Sequence, residues 1–229
     1  QTTDAFAWQW HNSDMGHNEG SKKYSSTLFY DRYGITYSEL EKFIGGKTVY
    51  DPAVGSGRVE HIFAKFAREV YAADLSDAVY RAKEKLSGIF DNIRYYKADL
   101  INAPFKDGTF DAVVCHAILQ HTGDPLGGLR SFERVLKPGG VLFFDVYRKA
   151  APLRDFTDDF IRELVSCLPP EEAWEKLKPL TKLAQNLYEK NIHVEGDSPE
   201  LQIEAGDYNL QRFVYYKFIK TFWNENMSF

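Results

Sequence analysis

Residues 49–58 read Val49-Tyr50-Asp51-Pro52-Ala53-Val54-Gly55-Ser56-Gly57-Arg58. An apolar strand runs into a turn of small residues, and a helix is expected to begin near Arg58. A turn of this kind lets backbone approach a ligand closely, because glycine carries no Cβ. The next apolar run, Val70-Tyr71-Ala72-Ala73-Asp74, closes on a carboxylate. Strand, small turn, helix, strand and acid form the layout of a nucleoside pocket, in which the carboxylate can grip a ribose diol.

Strands and helices alternate outward from this stretch. Thr48–Val54 reads as the first strand and Arg58–Arg68 as a helix, with Val59, Ile62, Phe63 and Phe66 on one stripe. Glu69–Asp74 is the second strand. Ser76 is placed to cap a helix holding Val79, Ala82 and Leu86. Asn92–Asp99 is the third strand. Phe110–His116 is a continuous apolar run, as a strand covered on both faces requires. Asp124-Pro125 opens a helix through Leu136, with proline in its first turn. Lys137-Pro138-Gly139-Gly140 reads as a turn and Val141–Tyr147 as strand five. Strands separated by helices of this length predict an α/β fold: a Rossmann-like, doubly wound, mostly parallel sheet with helices on both faces.

The flanks differ from this core. Phe6, Trp8 and Trp10 alternate with small or polar residues, then a polar stretch follows to Gly20. We read an N-terminal arm whose aromatics either fill a groove or form a lid. Tyr37–Phe43 is a short helix ended by Gly45-Gly46. After Tyr147, Leu153, Phe156, Phe160, Ile161, Leu164 and Val165 follow helical spacing. Pro169-Pro170 starts another helix, which Pro179 should break or kink. This makes a helical insertion of about 40 residues, longer than an ordinary connection. Residues 191–206 read as polar and loop-like, and 207–229 are rich in aromatics. The expected organisation is an arm and helix over 1–46, a cofactor-binding core over 47–147, a helical insertion or cap over 148–206 and an aromatic C-terminal segment over 207–229. Such sheets usually carry a final hairpin after strand five, so the sequence is expected either to be a fragment or to omit disordered parts.

Composition narrows the class. The 229 residues are 44% hydrophobic and 15% aromatic, enough for a packed core. No apolar run reaches about 18 residues, so no membrane span is expected. The net charge of −5 disfavours a nucleic-acid partner. Cys115 and Cys167 have no metal-type spacing, and reduced thiols in a cytoplasmic protein are the simple reading. His11, His17, His61 and His193 show no ligand spacing, and no metal site is expected.

Five motifs now occur in order: Val49 to Arg58; Ala73-Asp74-Leu75-Ser76; Ala98-Asp99-Leu100; Pro104 to Asp111; and Leu136-Lys137-Pro138-Gly139-Gly140. Together with Val114 to Pro125 they resemble the class I S-adenosylmethionine-dependent methyltransferases, in particular the small-molecule type 11 group. The resemblance covers about residues 47–147. Ala53 departs from it, since the family usually has glycine there. The Asp-Pro-Ala opening is also reminiscent of DNA methyltransferases. Cys115-His116-Ala117-Ile118 stands where those carry an Asn/Asp-Pro-Pro-aromatic motif, which disfavours base methylation.

The resemblance implies S-adenosyl-L-methionine as cofactor, S-adenosyl-L-homocysteine as product and a small-molecule acceptor. It places Ala53, Gly55 and Gly57 against the methionine and ribose parts. Asp51 would hold the turn or reach the amino group. Asp74, with Leu75 beside it, would accept the ribose hydroxyls, and Asp99 with Leu100 would read the adenine edge. His116 would touch the cofactor through backbone or act as a base. His121 lies on the same rim, and Tyr147 could reach the acceptor. Arg148, Lys149 and Arg154 either form a basic rim or are solvated surface. Cys115 reads as a core residue. Two other readings remain: a non-catalytic cofactor-binding or scaffold module, and an NAD-dependent oxidoreductase. Against the second, Gly55-Ser56-Gly57-Arg58-Val59-Glu60 lacks the third glycine of the dinucleotide fingerprint.

Overall fold

The structure, a computed structural model, describes residues 7, 8, 10, 19–147, 152–201 and 203–219. Two compact units divide the chain, one within residues 1–146 and one within 147–227. The first runs α1 (Glu19–Tyr33), α2 (Tyr37–Ile44), β1 (Thr48–Asp51), α3 (Glu60–Phe63), β2 (Glu69–Asp74), α4 (Ala78–Leu86), β3 (Ile93–Lys97), β4 (Phe110–Cys115), α5 (Pro125–Val135) and β5 (Leu136–Phe144). The strands form one sheet in the order β3-β2-β1-β4-β5, with every neighbouring pair parallel. The sheet is built toward β3 on one side of β1 and toward β5 on the other. The switch point therefore lies between β1 and β4, where ligands bind in sheets of this kind.

Alternation along the strands divides the core into two layers. Val49, Val70, Ala72, Ala112, Val114 and Phe143 face one cluster, joined by Phe29 of α1, Leu40 and Ile44 of α2, Ile62 and Phe63 of α3, and Val79 and Leu86 of α4. Tyr50, Ala73, Val113 and Cys115 face the other, closed by Phe132 and Val135 of α5. Both faces of β1 are buried along its whole length, which is why its sequence is an unbroken apolar run up to Asp51. In the second layer Tyr50 stacks on Phe110 with centroids 4.9 Å apart. Arg134 fastens the 103–107 segment there, donating to the carbonyls of Ala103 at 2.6 Å and Phe105 at 2.7 Å.

Local chemistry explains most boundaries. Thr36 and Glu39 form a reciprocal capping box at the start of α2. Asp124 caps α5 by accepting the Gly127 N–H at 2.8 Å. Four segments differ from the sequence reading. The helix expected over Arg58–Arg68 is a single turn, α3. Asn92 Nδ2 donates to the carbonyls of Ala64 and Ala67 at 2.8 and 2.9 Å, and this ends it. Part of the expected arm is the helix α1. Its apolar residues are too few to give a clear helical stripe: Phe29 is buried in the core, and Tyr30 and Tyr33 pack against it half-buried. The expected turn at 137–140 is drawn into β5 as an irregularity opposite Phe110–Ala112, with Gly139 at φ +76°. Strand five itself ends at Phe144, short of Tyr147.

The second unit contains α6 (Pro152–Val165), α7 (Pro170–Glu189), an antiparallel hairpin of β6 (His193–Ser198) and β7 (Ile203–Asn209), and α8 (Leu210–Lys217). Residues 191–206, read from sequence as a loop, mostly form this hairpin. The strands are polar because most of their side chains are exposed. α7 runs through Pro179. The stripe of Trp174, Leu177, Leu180, Ala184 and Leu187 is buried or half-buried on both sides of the proline. That packing outweighs the penalty of about 3 kcal/mol for an interior proline. Phe222, Trp223 and Phe229 lie outside the described residues.

The close packing of α4 under the Gly55–Gly57 turn gives a stability prediction. A Cβ on Gly57, whose φ is +85°, would stand 2.6 Å from Leu86 Cδ1. Gly57→Ala is expected to cost about 2–4 kcal/mol by combining left-handed strain with overpacking. Urea denaturation measures it, and a midpoint equal to wild type would contradict the close approach.

Candidate active site

The turn after β1 is held by backbone and by one carboxylate. Val54 donates its N–H to the Ala73 carbonyl at 2.8 Å, and Gly57 to the Val54 carbonyl at 2.9 Å. Gly55, at φ +53°, donates to Asp74 Oδ2 at 2.9 Å. The other oxygen, Oδ1, accepts the Ser76 N–H at 2.9 Å and the Ser76 hydroxyl at 2.7 Å. A carboxylate offers about four acceptor positions. Among the described residues three are filled, two on Oδ1 and one on Oδ2. Beside it Leu75 is 52% exposed, an apolar surface at the carboxyl end of β2.

Two buried acids underlie the same turn. Asp51 Oδ1 accepts the Ala53 N–H at 2.9 Å, which ties this side chain to the turn. Glu60, fully buried on α3, faces it, and Glu60 Oε2 accepts the Val59 N–H at 3.2 Å. Burial and then the charge of Asp51 push the Glu60 carboxyl well above the usual range. Burial raises Asp51 also. Two desolvated carboxyls in contact hold one proton between them. Glu60 was missed from sequence; the signal was an acid inside the apolar stripe of Val59, Ile62 and Phe63.

At the carboxyl end of β4 the chain turns sharply. Ala117 has φ +58°, a left-handed conformation that costs a β-carbon residue roughly 1–2 kcal/mol. Its N–H is taken by Asp145 Oδ1 at 2.7 Å. Asp145 follows β5 and also contacts His116 Nδ1 at 3.2 Å, the Tyr33 hydroxyl at 3.2 Å and Arg32 Nη1 at 2.6 Å. Burial by itself would raise the Asp145 carboxyl. His116, the Ala117 N–H and Arg32 more than offset it and hold the group at about 2. The His116 ring is 3% exposed and packs against Phe29 and Tyr33. This is the geometry of a packed, oriented imidazole. Asp145, Arg32 and Tyr33 were not singled out from sequence, because they are distant from the motifs and from one another.

The remaining expected residues are distributed as follows. Asp99 accepts the Ile101 N–H at 2.9 Å, and Leu100 is buried after β3. His121 is exposed at the end of a 3-10 turn, Leu119–His121. On that turn Gln120 buries both side-chain amide atoms without a partner. Cys115 is fully buried, and burial pushes its thiol up, so it is a core residue as read. Tyr147 belongs to the second unit. Arg154, also there, contacts Asp158 at 3.6 Å and donates to the Tyr216 carbonyl, which does not match a free basic rim. Arg148, Lys149 and Phe6 lie outside the described residues. Trp10 does pack on the main unit: its indole lies 3.3 Å from where a Gly55 Cβ would be. Among the described residues no group of three or more His, Cys, Asp or Glu side chains could hold a metal ion.

Fold and strand order define a Rossmann-like, mostly parallel α/β domain. A family model described as "Methyltransferase domain" matches residues 50–144. The ubiquinone/menaquinone biosynthesis C-methyltransferase UbiE of Idiomarina loihiensis is 39% identical over 118 residues, 48% of this chain and 45% of that protein. UbiE of Pasteurella multocida is 39% identical over 120 residues, 48% of this chain and 42% of that protein. A crystal structure of a SAM dependent methyltransferase from Aquifex aeolicus is similar at a TM-score of 0.45 and 23% identity, covering 57% of this chain and 77% of that one. Over residues 50–144 the chain is thus similar to S-adenosylmethionine-dependent methyltransferase domains. The chain spans less than half the length of these two curated relatives.

The two acidic centres predict opposite pH dependences. Asp145 is depressed below its ordinary 3.8, so its contribution is present above that value and lost as pH falls through about 2. The stability gap between wild type and Asp145→Asn should therefore narrow on acidification. Glu60 is raised, so its contribution is present below its ordinary 4.5 and lost as pH rises through its folded value. Glu60→Gln should gain on wild type as pH rises. Urea midpoints across pH measure both, and parallel curves would contradict the assignments.

Proposed function

We propose that the chain transfers a methyl group from S-adenosyl-L-methionine to a small-molecule acceptor. The observation that carries this reading is the turn itself. Gly55 and Gly57 take left-handed conformations at the switch point, and a carboxylate with one acceptor position left among the described residues stands next to exposed Leu75. A ribose hydroxyl suits that position on Asp74 Oδ2, and the second hydroxyl would replace the Ser76 hydroxyl on Oδ1. Leu75 and Leu100 offer apolar contact to a purine, with Asp99 at its edge. The match of residues 50–144 to the methyltransferase domain supports the same cofactor.

The cofactor supplies an electrophilic methyl group on a sulfonium. The chain's own residues bind, orient and exclude water, and orientation alone can account for about 7–11 kcal/mol of a barrier. A base is required only where the acceptor must lose a proton, and His121, exposed on its turn, is the candidate. His116, packed against Phe29 and Tyr33 and paired with Asp145, would orient rather than accept. The relatives named C-methyltransferases make carbon an acceptor atom to test first. Both described cysteines are free, which fits a cytoplasmic setting. No helix among the described residues is long and apolar enough to cross a membrane.

Titration calorimetry tests the reading. S-adenosylhomocysteine should bind and NAD should not. Asp74→Ala should weaken binding at least about tenfold, through lost charged hydrogen bonds. An unchanged constant would remove Asp74 from the site. Gln120 gives a second test. Its unsatisfied amide costs about 1–3 kcal/mol in the free protein. Gln120→Leu should raise the melting temperature and lower methyl transfer; a rise with full activity would show that the amide serves no ligand.

A further inference from the structure

We infer that Asp145 is a positioning residue that sets the left-handed backbone of Ala117 and thereby the shape of the β4 end of the cofactor crevice. The inference rests on the methyltransferase reading for its functional half. Ala117 is one of two described non-glycine residues with positive φ, and it follows His116 directly after β4. That is the strand bordering the switch point. An alanine does not hold this conformation unaided. The Asp145 carboxylate supplies the restraint, taking the Ala117 N–H at 2.7 Å.

Asp145 is itself fixed from three directions. Arg32 holds Oδ2 at 2.6 Å, and the Tyr33 hydroxyl and His116 Nδ1 meet Oδ1, both at 3.2 Å. Tyr33 also approaches His116 Nδ1 at 3.3 Å and packs edge-on to Phe143 of β5. One carboxylate thus ties together the end of α1, the end of β4 and the segment after β5. All of these groups lie within the first unit. The strain at Ala117 is sustained by the surroundings, the condition under which such strain persists at functional sites. The peptide groups that Ala117 orients are positioned to meet the cofactor or the acceptor, while Asp145 faces the backbone and the α1 side chains.

A double-mutant cycle tests this, because glycine adopts φ near +58° without Asp145. Asp145→Ala should weaken S-adenosylhomocysteine binding at least about tenfold. Asp145→Asn, which keeps an acceptor for the Ala117 N–H, should lose less. Adding Ala117→Gly to Asp145→Ala should restore binding to within about threefold of wild type. If the two substitutions merely multiply, the inference is overturned. Where Asp145→Ala does not fold, Arg32→Gln takes its place, with a smaller loss and the same rescue. A second readout needs no ligand: by urea denaturation, Ala117→Gly should be more favourable in wild type than beside Asp145→Ala, since only wild type forces the alanine. Equal effects in both backgrounds overturn the clamp. Failure of wild type to bind S-adenosylhomocysteine, with the urea coupling present, would instead overturn the methyltransferase reading.

Discussion

The hydrogen bond from Gly55 N–H to Asp74 fixes the site. It joins the turn after β1 to the end of β2, a cross-link beyond the ladder that already pairs these two strands. The same carboxylate is gathered by Ser76, which starts the approach to α4. α4 in turn places Leu86 under Gly57. A turn whose glycines are demanded by backbone angle and by close approach thus rests on one anion and one leucine. Charge-assisted hydrogen bonds of this type exceed neutral ones in strength, which suits a restraint that must survive beside solvent.

The charges around this turn differ in burial, and burial decides their state. Asp51 and Glu60 are desolvated and share a proton. Asp145 is only partly removed from water and surrounded by donors, so it stays ionised. Asp74 is half-buried at the end of β2. Acids within one small region therefore present a neutralised support and, in Asp145, an ionised clamp. Sequence spacing does not distinguish these states, since each acid follows or lies close to an apolar run.

The core fold was legible because its signals are local. The apolar runs of β1 and β4, the Asp124-Pro125 start of α5 and the Gly45-Gly46 stop after α2 each depend on neighbours a few residues away. The turn, Asp51 and Asp74 were legible for the same reason. α1 was not, because Phe29 and the half-buried Tyr30 and Tyr33 sit among polar residues and leave no clear periodicity. The polar hairpin of the second unit carries no apolar alternation, and α7 continues through Pro179 on packing that sequence distances conceal. Within the site, Asp145, Arg32 and Tyr33 were hidden by separation: the Arg32–Asp145 pair spans 113 positions. Glu60 was visible as an anomaly only once its stripe was known to be buried.

That separation has a bearing on how the protein is made. A ribosome delivers the chain from its N-terminus, and domains generally fold as they emerge. The glycine turn, both buried acids and Ala117 are all synthesised before Asp145. A chain ending before Asp145 therefore carries these motifs without the carboxylate that takes the Ala117 N–H.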